Sequence, residues 1–167
     1  MKKFSTSLLL ALTFTLCLAF TSCNKKEGSN NAPQTSASTP AQILCQQFKE
    51  AAKTDSSISL EDLANSLVSN EIIPFGPAVM PVEEGYLNGF SSEINGFSEG
   101  MMFGPMIGSI PFIGYLFRSD DVNTLIANLK DKADLRWNVC TQADEMVVDS
   151  VKNLVFFAMS PINFDQE

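Results

Sequence analysis

Apolar residues along the chain recur at two spacings, and each predicts a different kind of element. Between residues 41 and 53, Ala41, Cys45, Phe48 and Ala52 share one helical face with Leu44 beside it, so an amphipathic helix is expected. A second helix is expected after Ser59, which has the chemistry of an N-cap. Asp62 follows three residues later, and Ile58 and Leu63 are spaced as a hydrophobic staple. Leu60, Leu63, Ala64, Leu67 and Val68 form its apolar stripe, and Asn70 is a natural stop. A third helix should begin at Asp120 or Asp121 and bury Val122, Leu125, Ile126 and Leu129.

Alternation predicts strands. Leu135, Trp137 and Val139 oppose Arg136, Asn138 and Cys140, the pattern of a half-buried strand over 135–140. Residues 146–151 and 154–159 flank Lys152-Asn153 and read as a hairpin. The second arm, Leu-Val-Phe-Phe-Ala-Met, is apolar on both faces and is expected at the centre of a sheet covered on both sides. Residues 114–118 suggest another strand, and a short one is expected around Tyr86 and Leu87. The order predicts an α+β fold: two N-terminal helices and one later helix packed on a mainly antiparallel sheet ending in a β-hairpin.

Residues 101–117 carry no charge, and eight of the nine glycines lie between Pro74 and Gly114. The uncharged run is short of the roughly 20 residues a membrane-spanning helix needs, and Pro105 and Pro111 interrupt it. Two readings remain open, an exposed interaction loop and a buried core segment. Burial of Phe103, Ile107, Ile110, Phe112, Ile113, Leu116 and Phe117 is the favoured expectation. The four-residue spacing of Gly96, Gly100, Gly104 and Gly108 fits a chain bending through the core. It has neither the unbroken helix of a membrane packing face nor the Lys-Ser/Thr of a phosphate loop.

Composition narrows the chemistry. The chain has 167 residues and a net charge of -8. Residues 41–167 hold 7 basic and 18 acidic residues, so an acidic domain with two arginines has no footprint for nucleic acid. No histidine occurs, which removes Ser-His-Asp and Cys-His catalysis and the His-bearing zinc sites. The carboxylate pairs Glu83-Glu84, Asp120-Asp121 and Asp144-Glu145 are the acid/base candidates, although Asp120-Asp121 is accounted for by helix capping. No calcium loop or other metal motif is recognisable, and no cofactor is implied. Arg136 and Asn138, on the polar face of the expected strand, are candidates to hold a carboxylate or a glycan hydroxyl.

The first 22 residues have the form of a secretory signal: Lys2 and Lys3, the apolar run from Leu8 to Phe20, then the small residues Thr21 and Ser22. The ending Phe20-Thr21-Ser22-Cys23 resembles the lipobox of bacterial lipoproteins, with Phe20 where that family usually has Leu. The resemblance implies that Cys23 carries lipid and becomes the mature N-terminus. Asn24 in place of Asp implies the outer membrane, and Lys25-Lys26-Glu27 is similar to a surface-export tag of some anaerobes. Residues 23–40, rich in Ser, Thr, Asn and Pro, are expected to form a flexible polar tether, leaving 41–167 as a single domain. The stretch from Glu84 to Pro161 is similar to small bacterial envelope lipoproteins to which no activity attaches, so the resemblance adds no chemistry.

Export would place Cys45 and Cys140 in an oxidising compartment, where either a disulfide or two thiols is open. The functional expectation is a lipid-anchored, non-enzymatic envelope domain, periplasmic or surface-facing. It would bind a protein, a glycan or an apolar ligand and meet the membrane through its N-terminal lipid. The alternatives are a carboxylate-dependent hydrolase of envelope or dietary glycans, using Glu83, Glu84, Asp144 or Glu145, and a structural assembly subunit.

Overall fold

The computed structural model describes residues 38–55 and 57–164. The signal segment, Cys23 and the tether up to residue 37 lie outside the described residues. The α+β class is as the pattern predicts. Two helices, α1 (Pro40–Thr54) and α2 (Leu60–Val68), precede strands β1 (Pro77–Val82), β2 (Glu99–Pro105) and β3 (Ile113–Arg118). Helix α3 (Val122–Lys132) and strands β4 (Glu145–Val151) and β5 (Leu154–Ser160) follow.

Local chemistry sets the helix ends. Thr39 caps α1 with Pro40 at the first helical turn, Ser59 accepts from the Asp62 amide at 3.0 Å to cap α2, and Asp121 accepts from the Thr124 amide at 3.1 Å to cap α3. The strands form one antiparallel sheet in the order β1-β2-β3-β5-β4. The β4–β5 hairpin turns on Lys152-Asn153, with Lys152 at φ 55, so the left-handed position falls on Lys rather than on the more tolerant Asn. Every residue of β5 is buried, as a central strand covered on both faces requires.

Strict alternation divides the core between two layers. Helices α1 and α2 pack on Phe103, Leu116 and Phe156, with Phe48 5.6 Å from Phe156 between ring centres. Helix α3 and the segment 83–98 pack on Tyr115, Phe117, Phe157 and Met159. That segment is tied down at several points. Glu84 accepts from the Gly96 and Phe97 amides, Gly85 and Ile94 exchange backbone bonds, and the Tyr115 hydroxyl donates to the Asn88 carbonyl at 2.8 Å. Gly114 faces Phe103 across β3 and β2, and a Cβ there would sit 2.2 Å from the Phe103 ring. The absent side chain is what admits that ring into the core.

Two expectations of strands are corrected. The strand around Tyr86 and Leu87 is absent: Tyr86 is exposed within an irregular segment, and the strand lies earlier, at β1. Pro77 and Pro81 can occupy β1 because it is an edge strand, where a missing donor costs little. Residues 135–140 are likewise irregular, with Val139 and Cys140 exposed: Asp134 accepts from the Arg136 and Trp137 amides and turns the chain, and Asn138 and Thr141 then bond the 108–109 turn. Of the two readings left open for Cys45 and Cys140, the structure has two free thiols: Cys45 is buried on the inner face of α1 and Cys140 is exposed on the 133–144 loop.

Candidate functional site

The uncharged segment 101–117 divides into three parts. Its two ends are β2 and β3, in which Phe103, Ile113, Leu116 and Phe117 are buried as expected, along with Phe112 just before β3. Its middle, 106–111, is the turn that joins them beyond the end of the sheet. Ile110 is half-buried there, but Ile107 is 77% exposed and Met106 75% exposed, so burial of Ile107 is corrected. The β2–β3 pairing ends at Phe103 and Gly114, β1 holds β2 as far as Pro105 and β5 holds β3 back to Ile113, and Met106 and Ile107 fall in the turn outside all three ladders.

Two further segments meet that turn. The loop after α3 reaches it through Asn138, whose side-chain amide donates to the Gly108 carbonyl at 2.7 Å, and through Thr141, whose hydroxyl donates to the Ser109 carbonyl at 3.4 Å. The tail after β5 arrives beside them. Asp144 donates its amide to the Ser160 carbonyl at 2.9 Å, and its carboxylate accepts from the Ile162 amide at 3.0 Å. These contacts satisfy backbone groups and leave side chains pointing outward, with Val139 98% and Ile162 56% exposed. Four of the six large exposed apolar residues among those described therefore sit at this one end of the sheet.

Three adjoining cavities open here, and Ile110 lines all of them. One of about 240 Å³ lies between Trp137, Met102, Phe112 and Ile113. One of about 320 Å³ lies between Phe75, Pro105, Met106 and Ile107. The widest, about 600 Å³, lies between Pro111, Cys140, Pro161 and Phe164, with Asp144 its one carboxylate. Trp137, expected in the core, is instead half-buried at the wall of the first. Segments 105–112, 136–143 and 160–164 together carry a single charge, Arg136, in a domain of 18 acidic residues.

The acid/base candidates are engaged elsewhere. Glu84 holds two amides, Asp121 caps α3, and Asp144 holds the Ile162 amide. Glu145 accepts from the Thr39 hydroxyl and from the Gln42 side chain at 3.2 Å. Glu83 is exposed. No cluster of three potential metal ligands occurs among the described residues. Beneath α1, burial foremost, with the adjacent Asp149 carboxylate, pushes the Cys45 thiol up to about 11, so it is protonated and unreactive at neutral pH. Lys49 bridges Asp149 at 2.8 Å and holds that carboxylate below the usual range. Among the described residues Arg136 pairs with no carboxylate.

No protein-family model, curated protein or solved structure matches the chain.

Alternation places Val139 on the apolar face of an expected strand, and Met106 and Ile162 stand in uncharged runs whose meeting in space no spacing reveals.

Proposed function

We propose that this is a lipid-anchored envelope protein, held at the outer membrane through Cys23, whose domain acts by contact rather than by catalysis. The observation that carries the binding reading is the convergence of Met106, Ile107, Val139 and Ile162 on one end of the sheet, in segments poor in charge for so acidic a domain. Exposed apolar residues scattered singly need no explanation, but four at one end of a sheet, beside cavities that share Ile110, fit an interaction surface. The engagement of Glu84, Asp121, Asp144 and Glu145 with neighbouring hydrogen-bond donors speaks against a carboxylate pair free for acid/base work. The anchoring reading rests on the lysine-led apolar leader and on Thr21-Ser22-Cys23.

Expression of the full chain with labelled fatty acid tests the anchor. The wild-type protein is expected to incorporate label and fractionate with outer membranes, whereas Cys23→Ser is expected to do neither. A Cys23→Ser protein that reaches mature size and remains membrane-bound without label would refute it.

A further inference from the structure

The end of the sheet that carries the exposed apolar residues is also the end at which the chain enters the domain. Thr39 caps α1 and donates its hydroxyl to Glu145 at the start of β4, and Gln42 donates to the same carboxylate. Glu145 pairs with Ser160 at the close of β5, and Ile162 follows two residues later. Helix α1 then runs alongside β4, away from this end, to the contact of Lys49 with Asp149. A segment arriving from Cys23 therefore reaches the domain on the side where Met106, Ile107, Val139 and Ile162 project.

From this placement, and resting on the lipid-anchor reading above, we infer that the end carrying these exposed apolar residues is a bilayer-contact face which seats the domain on the membrane that holds its lipid. Thr39 stands sixteen positions after Cys23, a span of at most about 58 Å when extended. The lipid thus confines the domain to a thin layer above the headgroups, and at that effective concentration even a weak second contact is populated. The chemistry of the end suits an interface. Met106, Ile107, Val139 and Ile162 supply apolar area, and Trp137 is of the type that concentrates at headgroup depth. Arg136 has the sign that anionic lipid attracts. Two acidic residues stand at the border of the end, and both are engaged: Asp144 accepts from the Ile162 amide, and Glu145 accepts from Thr39 and Gln42. A polar tether alone explains why a domain stays near a membrane, but not why the end at which the chain enters should carry the exposed apolar residues.

Trp137 is the only tryptophan in the chain and lies at this end, so it reports the contact directly. The test reconstitutes the full lipidated chain into phosphatidylethanolamine–phosphatidylglycerol vesicles with and without brominated acyl chains, and measures flotation and Trp137 emission. The expected result is flotation with loss of Trp137 emission in brominated vesicles. A Met106→Asp/Ile107→Asp variant, changed only at exposed positions, is expected to float through its lipid but to recover emission. Flotation with unquenched Trp137 overturns the contact face and leaves the anchor standing. Failure to float overturns the anchor, and with it this inference. Quenching that persists unchanged in the double variant shows that another surface meets the bilayer. An unquenched wild type that forms a dimer, split by the double variant, assigns the face to a second copy of the chain.

Discussion

The two ends of the sheet solve the same problem with opposite materials. Where β2 finishes and β3 begins, the backbone groups that have left the ladder are met by other loops. Asn138, Thr141 and the Met106 amide hold the turn through the carbonyls of Gly108, Ser109 and Gly76. At the opposite end the partners are charged. Arg118 pairs with Glu99 at 2.9 Å and donates to the Ile58 carbonyl ahead of α2, while Asp121 caps α3. Both ends satisfy their backbone, but only the first also leaves Met106, Ile107, Val139 and Ile162 exposed. The difference shows that the exposed apolar residues at the first end are not a requirement of the fold, since the same strands end elsewhere without them.

The largest expected effect tests whether buried and exposed residues of segment 101–117 differ as sharply as their surroundings. Phe117 is fully buried against Phe97 and Tyr115, so Phe117→Asp leaves a charge in the core without a partner. The cost is expected to consume most of a typical stability of about 5–15 kcal/mol and abolish cooperative melting. Ile107→Asp, eleven residues after Gly96 and at the exposed turn, is expected to change stability by less than about 0.5 kcal/mol. Equal melting of the two variants by circular dichroism would erase the distinction.

A smaller effect is expected at Gly114. A methyl group there would stand 2.2 Å from the Phe103 ring, so Gly114→Ala should cost about 1–3 kcal/mol by overpacking. Phe103→Leu relieves the contact, and in a double-mutant cycle by urea unfolding the pair should cost less than the sum of the single changes. Strict additivity would show that the two positions do not touch.

The smallest effect separates the ends by pH. The Thr124 hydrogen bonds hold Asp121 below the usual carboxylate range, and those of Ser57 do the same for Asp55. A carboxylate depressed in the folded state contributes stability that is present above its unfolded value of about 3.9 and is lost as pH falls through its lower folded value. Stability should therefore decline below about pH 4. Asp121→Asn, which preserves a good cap, should make that decline shallower, whereas Ile107→Ser should leave its slope unchanged. Unfolding midpoints measured between pH 2 and 6 check both outcomes.

The sequence by itself determined the features that depend on near neighbours. Thr39, Ser59 and Asp121 meet amides three residues on, so the helix starts follow from local spacing. The β4–β5 hairpin turns within two residues, and the double-faced apolar run of β5 announces a central strand. Where the partner is distant in the chain, pattern misled. Alternation over 135–140 looks like a strand, but Asn138 and Thr141 bond the distant 108–109 turn and no strand pairs with the segment. The prolines of β1 look like a break, yet only one side of an edge strand must donate. The division of segment 101–117 was also beyond local reading, because the register that pairs Phe103 with Gly114 decides which apolar residues enter the core. The tertiary structure alone brought 105–112, 136–143 and 160–164 together at the end where the chain enters, because hydrogen bonds across about 20 to 30 positions carry no signature in spacing.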